Sequence, residues 1–96
     1  MELTREILID TIVCHSTDLV VGDLDGEKAM LNIQKGKYYV LDPIASRVWG
    51  LIEHPCAVRD LVVTLVEEYD VEEKKCQNDV LSFLNELYAK GLVSIA

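Results

Sequence analysis

The sequence predicts an α+β fold in which a three-stranded antiparallel sheet is followed by three helices, an order that is winged-helix-like. Strand-preferring residues and turn signals fill the first half of the 96 residues, and apolar residues at helical spacing fill the second. Half of the residues are hydrophobic, which is sufficient for one small domain with its own core. We expect that domain at residues 18–96, preceded by an N-terminal arm or extra strand at residues 1–17.

Two turn signals divide the first half into strands. Asp25-Gly26 is typical of a two-residue hairpin turn, and Lys35-Gly36 supplies a second turn. The result is a predicted meander over about residues 18–41, with strands at residues 19–21, 28–33 and 37–41. Upstream of the meander, residues 7–13 are rich in β-branched side chains and form either a strand or an extended arm.

Three helices and a terminal strand are predicted in the second half, at residues 43–53, 57–69, 72–90 and 92–95. Asp42 is placed to cap the first helix, with Pro43 at its first position, and Gly91 is a natural stop for the third. The second helix has an alternative. Residues 61–66 contain enough β-branched side chains for a buried strand. Charged residues on the side opposite the apolar residues favour a helix instead.

Charge and cysteine content narrow the classes of partner and the compartment. Seventeen acidic against nine basic side chains, a net charge of −8, argue against nucleic acids and against anionic membranes. Three irregularly spaced cysteines fit a reducing compartment better than a disulfide framework. The N-terminus is not a signal peptide, and no apolar run is long enough to span a membrane. We therefore expect a cytoplasmic protein.

The chain offers little that could carry chemistry. Cys14-His15 and His54-Pro55-Cys56 contain residue types that bind zinc, but their spacing is awkward for a single tetrahedral site. The same residues lack an orienting partner for a Cys/His nucleophile, and no phosphate-binding or dinucleotide-binding loop is present. The carboxylates at residues 67–73 lie in a solvated turn, where we expect them to steer a basic partner. We expect no catalytic residue, no metal and no cofactor.

The strand at residues 37–41 is the most informative part of the sequence. It is short and leads at once into a capped helix, which is typical of a strand at a sheet edge. An exposed edge has unpaired backbone groups that can accept an extended peptide as an additional strand. The residues themselves therefore favour a peptide-binding module.

Several short motifs in a characteristic order also resemble a known family. They are Leu31-Asn32, Gly36-Lys37-Tyr38-Tyr39-Val40-Leu41-Asp42, Val48-Trp49-Leu51 and Val80-Phe83-Leu84-Leu87-Gly91-Leu92-Val93. Over about residues 18–95 the chain resembles the PqqD-like family, which comprises the peptide chaperones of pyrroloquinoline quinone biosynthesis and the recognition elements of ribosomally made, modified peptides. A free-standing copy of this size looks most like the leader-peptide-binding proteins of lasso-peptide clusters.

The resemblance implies that the leader segment of a precursor peptide adds antiparallel to the third strand of the meander and fills a groove between that strand and the last helix. A separate leader protease and a cyclase would then process the bound precursor. Carried over by position, the peptide-binding residues are Lys37, Tyr38, Tyr39, Val40, Leu41, Cys76, Asp79, Val80 and Phe83.

Two other functions compete with this interpretation. One is a PqqD-type chaperone that presents its precursor to a radical enzyme, and the other is an acidic winged-helix domain with a regulatory role. A DNA-binding winged helix is disfavoured because acidic residues balance the lysines of the third helix. Residues 1–17 exceed the family core and could serve as a swapped arm or a partner contact.

Overall fold

The computed structural model describes residues 6–17, 19–25 and 27–96. Within these residues the chain forms six strands and three helices in the order β1 (Ile12–His15), β2 (Leu19–Leu24), β3 (Glu27–Asn32), β4 (Lys37–Val40), α1 (Pro43–Leu51), β5 (Cys56–Ala57), α2 (Val58–Tyr69), α3 (Glu73–Ala89) and β6 (Val93–Ile95). The strands form two antiparallel sheets of three strands, ordered β2-β3-β4 and β5-β1-β6. The predicted α+β class is confirmed.

The predicted meander is the sheet β2-β3-β4. β2 pairs with β3 from Leu19 opposite Asn32 to Leu24 opposite Glu27, and β3 pairs with β4 in the register that sets Met30 opposite Tyr39. The turn between β2 and β3 begins at Asp25, whose φ of 52° suits the predicted hairpin turn, while Gly26 lies outside the described residues.

The second sheet joins the N-terminal segment to the rest of the chain. β1 lies between β5 and β6, so the segment before the meander is a strand at Ile12–His15. The terminal strand was predicted, and it forms at Val93–Ile95. β5 was not predicted, because two residues are too short to show a period.

The helices form within two residues of their predicted bounds. Asp42 caps α1 as expected, since the backbone N–H of Ala45 donates to Asp42 Oδ1 at 2.8 Å. The alternative of a strand at residues 61–66 is wrong, because this segment is the middle of α2. Gly91 follows α3 with a φ of 78°, the left-handed conformation in which glycine carries no steric penalty.

One core holds the sheets and the helices together. Its fully buried members include Met30 of β3, Trp49 of α1, Leu61 of α2 and Leu84 of α3. The apolar sides of α2 and α3 pack on each other. The C-terminal half of α3 lies beside the sheet edge formed by β4. Within the described residues, none of the helices combines the length and apolar composition needed to cross a membrane.

Candidate functional site: an open strand edge beside an apolar groove

β4 is an edge strand with hydrogen-bonding groups facing outward. It pairs with β3 on one side, and the Leu41 N–H extends this ladder by donating to Lys28 O at 2.8 Å. Antiparallel pairing alternates, so Tyr39 bonds to β3 while the N–H and C=O groups of Tyr38 and Val40 point to the open side. An extended chain laid along this edge would meet two donors and two acceptors.

The pleat of β4 sends its side chains to opposite faces of the sheet. Tyr39 and Leu41 face the helices, where Leu41 is buried and Tyr39 is half-buried. Tyr38 and Val40 lie on the outer face and are 61% and 52% exposed. Tyr38 and Val40 therefore offer their backbone to the open edge, while Tyr39 offers its ring to the helix side.

An apolar groove lies between β4 and the helices. It consists of two adjoining cavities of about 340 and 380 Å³, which share Asp42, Ala45 and Phe83 as lining residues. The first cavity lies among α1, α2 and α3, and the second lies between β4 and the C-terminal half of α3. A peptide bound at the β4 edge would therefore lie beside the second cavity, whose lining is both polar and apolar, with the mostly apolar first cavity adjoining it.

The structure brings eight of the nine residues implied by the resemblance together at this groove. Tyr38, Tyr39, Val40 and Leu41 line the second cavity. Cys76, Asp79 and Val80 line the first, and Phe83 lines both. Lys37 is at the start of β4, outside both linings.

Three apolar residues at the mouth of the first cavity were not predicted as part of the site. Ile44, Tyr69 and Val71 line this cavity, and Ile44 is 59% exposed. Ile44 and Tyr69 have the helical spacing of the other apolar residues of their helices, so the sequence does not distinguish them from core residues. Their exposure beside a cavity is instead typical of a surface that binds an apolar ligand.

Charged residues along α3 are paired with one another. Lys75 Nζ lies 2.9 Å from Asp79 Oδ2, and Lys90 Nζ lies 2.8 Å from Glu86 Oε1. Hydrogen bonding to these carboxylates raises the pKa of both lysines, so the lysines are charged at neutral pH. Lys90 Nζ also lies 5.5 Å from the centre of the Tyr39 ring, within the range of a cation–π interaction.

The cysteine of the groove is a poor nucleophile. Cys76 is buried on α3, and burial raises the pKa of its thiol, with a further contribution from the negative charge of Asp79. The thiol is therefore protonated at neutral pH, and a thiol is far less nucleophilic than a thiolate. Cys76 acts here as a small apolar lining residue.

The residues considered for zinc have other surroundings. The His15 ring stacks on Trp49 with centroids 3.9 Å apart, and His15 Nε2 lies 2.6 Å from Trp49 O. His54 is exposed, and burial raises the pKa of the Cys56 thiol. In residues 6–17, 19–25 and 27–96, no three His, Cys, Asp or Glu side chains lie close enough together to hold a metal ion.

The fold and the groove together define a small α+β domain whose open sheet edge faces a helix across an apolar groove. The family model of coenzyme PQQ synthesis protein D (PqqD) matches residues 27–93, more than half of the sequence. The chain belongs to the PqqD family. No curated protein matches it.

Two solved structures share the fold. TbiB1, in complex with the TbiA(beta) leader peptide, superposes with a TM-score of 0.80 and 31% identity, over 84% of this chain and 94% of TbiB1. Lasso peptide synthetase B1, complexed with the leader peptide, superposes with a TM-score of 0.75 and 20% identity, over 85% of this chain and 96% of that protein. This chain therefore covers nearly the full length of both proteins.

Proposed function

We propose that this protein binds the leader segment of a ribosomally synthesised precursor peptide as an added strand along residues 37–41. It then delivers the precursor to separate enzymes, a leader protease and a cyclase of the lasso-peptide type. The observation that carries the proposal is the open edge of β4, which faces α3 across an apolar groove. The similarity to TbiB1, which was solved with the TbiA(beta) leader peptide, supports it.

The strand edge and the groove are expected to contribute differently to leader binding, the edge to affinity and the groove to specificity. Backbone hydrogen bonds to Tyr38 and Val40 depend little on the leader sequence, so they give general affinity for an extended chain. Alternate leader side chains would enter the groove beside Tyr39 and Phe83, where shape and apolar contact select the sequence. Burial of a few such anchors is expected to dominate the binding energy.

We further propose that the domain acts as a carrier without catalytic activity, metal or cofactor of its own. Cys76 is the cysteine among the lining residues of the first cavity, and burial raises the pKa of its thiol and so keeps it protonated. The carboxylates of Asp79 and Glu86 are already engaged in ion pairs with Lys75 and Lys90. The chemistry would then come from the enzymes that receive the precursor, in the cytoplasm where the precursor is made.

A scan of backbone methylation tests strand addition. The probe is the leader of the precursor peptide encoded in the same gene cluster, synthesised with one N-methylated amide at a time, and affinity is measured by isothermal titration calorimetry. Sensitive and insensitive positions should alternate, because only every second amide of an added antiparallel strand points at β4. Methylation at each sensitive position should weaken binding about tenfold. A leader that binds tightly and tolerates methylation everywhere would disprove strand addition.

A further inference from the structure

The groove carries opposite charges at its two ends. The end at the start of β4 is basic. Lys90 reaches over Tyr39, and Lys37 lies on the same face of β4 two residues before Tyr39. The Lys35 side chain reaches the end of α3 as well. Its Nζ lies 3.3 Å from the point that a Cβ would occupy at Gly91, the residue that follows α3 closely. Three lysines therefore lie toward this end, where Lys90 is paired with Glu86, the acidic residue among those that line this part of the second cavity.

The end after β4 is acidic. Asp42 and Asp79 both line the first cavity, and Glu72 is close enough to raise the pKa of Lys75 by its charge. Lys75 is paired with Asp79 and is the cation among the cavity's lining residues. Three carboxylates and one lysine therefore lie toward this end, the reverse of the balance at the other end.

The two ends are far enough apart to act independently. Lys37 and Asp42 are five positions apart in the sequence, which corresponds to about 17 Å of extended chain. The Debye length at physiological ionic strength is about 8 Å, so salt largely screens each end from the other. A bound peptide would therefore experience a separate charge at each end of its apolar segment.

We propose that the leader accepted by this groove carries basic side chains on the N-terminal side of its apolar anchors and acidic side chains on the C-terminal side. This inference rests on the proposed function and on antiparallel addition to β4. An antiparallel chain brings its N-terminal side to the acidic end, near Asp42 and Asp79, and its C-terminal side to the basic end, near Lys37 and Lys90.

This polarity would fix the direction and register of the bound strand. Backbone hydrogen bonds alone distinguish poorly between registers, because every second residue of a peptide presents the same groups. A peptide with the opposite order of charges would meet like charge at both ends, which suppresses wrong partners and wrong registers. The charges thus add discrimination of direction and register to the selection of sequence by the groove.

An unbiased peptide selection tests the inference. The probe is an mRNA-displayed library of random peptides of about 14 residues, long enough to cover both ends of the groove at about 3.4 Å per residue. It is selected against the complete chain. A selected peptide is counted only if the uncharged variant Ile44→Asn, at the mouth of the first cavity, weakens its binding. Counted peptides that are basic before their apolar anchors and acidic after them would support the inference.

The other outcomes separate the two proposals. Counted peptides with no charge order, or with the reverse order, would overturn the polarity while leaving the proposed peptide binding in place. If no peptide counts, the proposed function itself fails, and the polarity with it.

Charge reversal in the protein provides a second test on the selected peptides. Lys37→Glu should weaken binding about fivefold, the size expected for an exposed ion pair, and replacing the acidic residues of the peptide with lysine should restore it. The matched control is Lys74→Glu, an exposed residue of α3 that lines neither cavity. Equal effects of the two variants would show that only net charge matters and would overturn the inference.

Discussion

At the scale of single residues, the side-chain amide of Asn85 attaches the N-terminal segment to the helix that borders the groove. Asn85 Oδ1 accepts the N–H of Ile7 at 2.8 Å, and Asn85 Nδ2 donates to Ile7 O at 3.1 Å and to Leu81 O at 3.0 Å. The Ile7 side chain is 1% exposed. This contact explains how a segment outside the meander becomes part of the core.

Replacement of Asn85 by alanine should destabilise the fold. Asn85→Ala leaves partly buried backbone groups of Ile7 without their partner, which costs about 1–3 kcal/mol. For a domain of this size the melting temperature should fall by at least about 4 °C, measured by circular dichroism. The control is Asn78→Ala at an exposed position of the same helix, which should change little. Equal melting temperatures for wild type and Asn85→Ala would contradict a stabilising role for the hydrogen bonds between Asn85 and Ile7.

A pH-dependent contribution is expected from the ion pair between α1 and α2. Arg47 donates two hydrogen bonds to the Glu68 carboxylate, at 2.9 and 2.6 Å, and these bonds lower the pKa of Glu68. A lowered folded-state pKa gives stability that is present above the usual glutamate pKa of about 4.3 and is lost as pH falls through the folded value. Wild type should therefore melt above Glu68→Gln at pH 7, and this difference should disappear in acid. A difference that does not change with pH would exclude Glu68 as its source.

At the scale of elements, the sequence predicts structure wherever a pattern is long or a local signal is strong. The period of α3, the Asp42-Pro43 cap and the two turn signals place the meander and the helices correctly. β5 escaped prediction because its two residues form a strand only through pairing with β1. Tertiary contacts create such elements, and no local period reports them.

The sequence predicts part of the candidate binding site as well. The edge position of β4 follows from its length and the adjoining helix, and the structure shows it. Ile44 and Tyr69 could not be assigned, because an apolar residue beside a ligand groove has the same helical spacing as an apolar residue in the core. Periodicity shows which face is apolar but not what covers that face.

A charge placed at the mouth of the groove should weaken leader binding without harming the fold. Ile44 is exposed in the first turn of α1, where an aspartate is favourable for the helix. Ile44→Asp should therefore keep its melting temperature and weaken leader binding at least about tenfold, since it puts a charge against apolar anchors. Val63→Asp is the matched control, because Val63 is 51% exposed on α2 and lines neither cavity. Similar losses in both variants would contradict a role for this groove.

At the scale of the whole molecule, the sheet β2-β3-β4 separates two apolar surfaces. The groove lies on the helix side, and the outer face exposes Val20, Leu24, Leu31, Tyr38 and Val40. A strand added at β4 would alternate its side chains between these surfaces, because successive residues of a strand point to opposite faces. Every second side chain of a bound leader segment would thus enter the groove, and the others would lie on the outer face beside Tyr38 and Val40.

The acidic charge of the molecule should act mainly on the rate of association. The net charge is −8, and the carboxylates of residues 67–73 are dense beside the acidic end of the groove, whereas the first cavity itself is mostly apolar. Long-range attraction speeds encounter with a basic leader segment, and the screening length falls from about 30 Å at 0.01 M salt to about 3 Å at 1 M. Stopped-flow binding should therefore show an association rate that drops steeply with salt and a dissociation rate that changes much less. The variant Glu67→Gln/Asp70→Asn/Glu73→Gln should lose most of this dependence, and an unchanged dependence would assign the steering to other carboxylates.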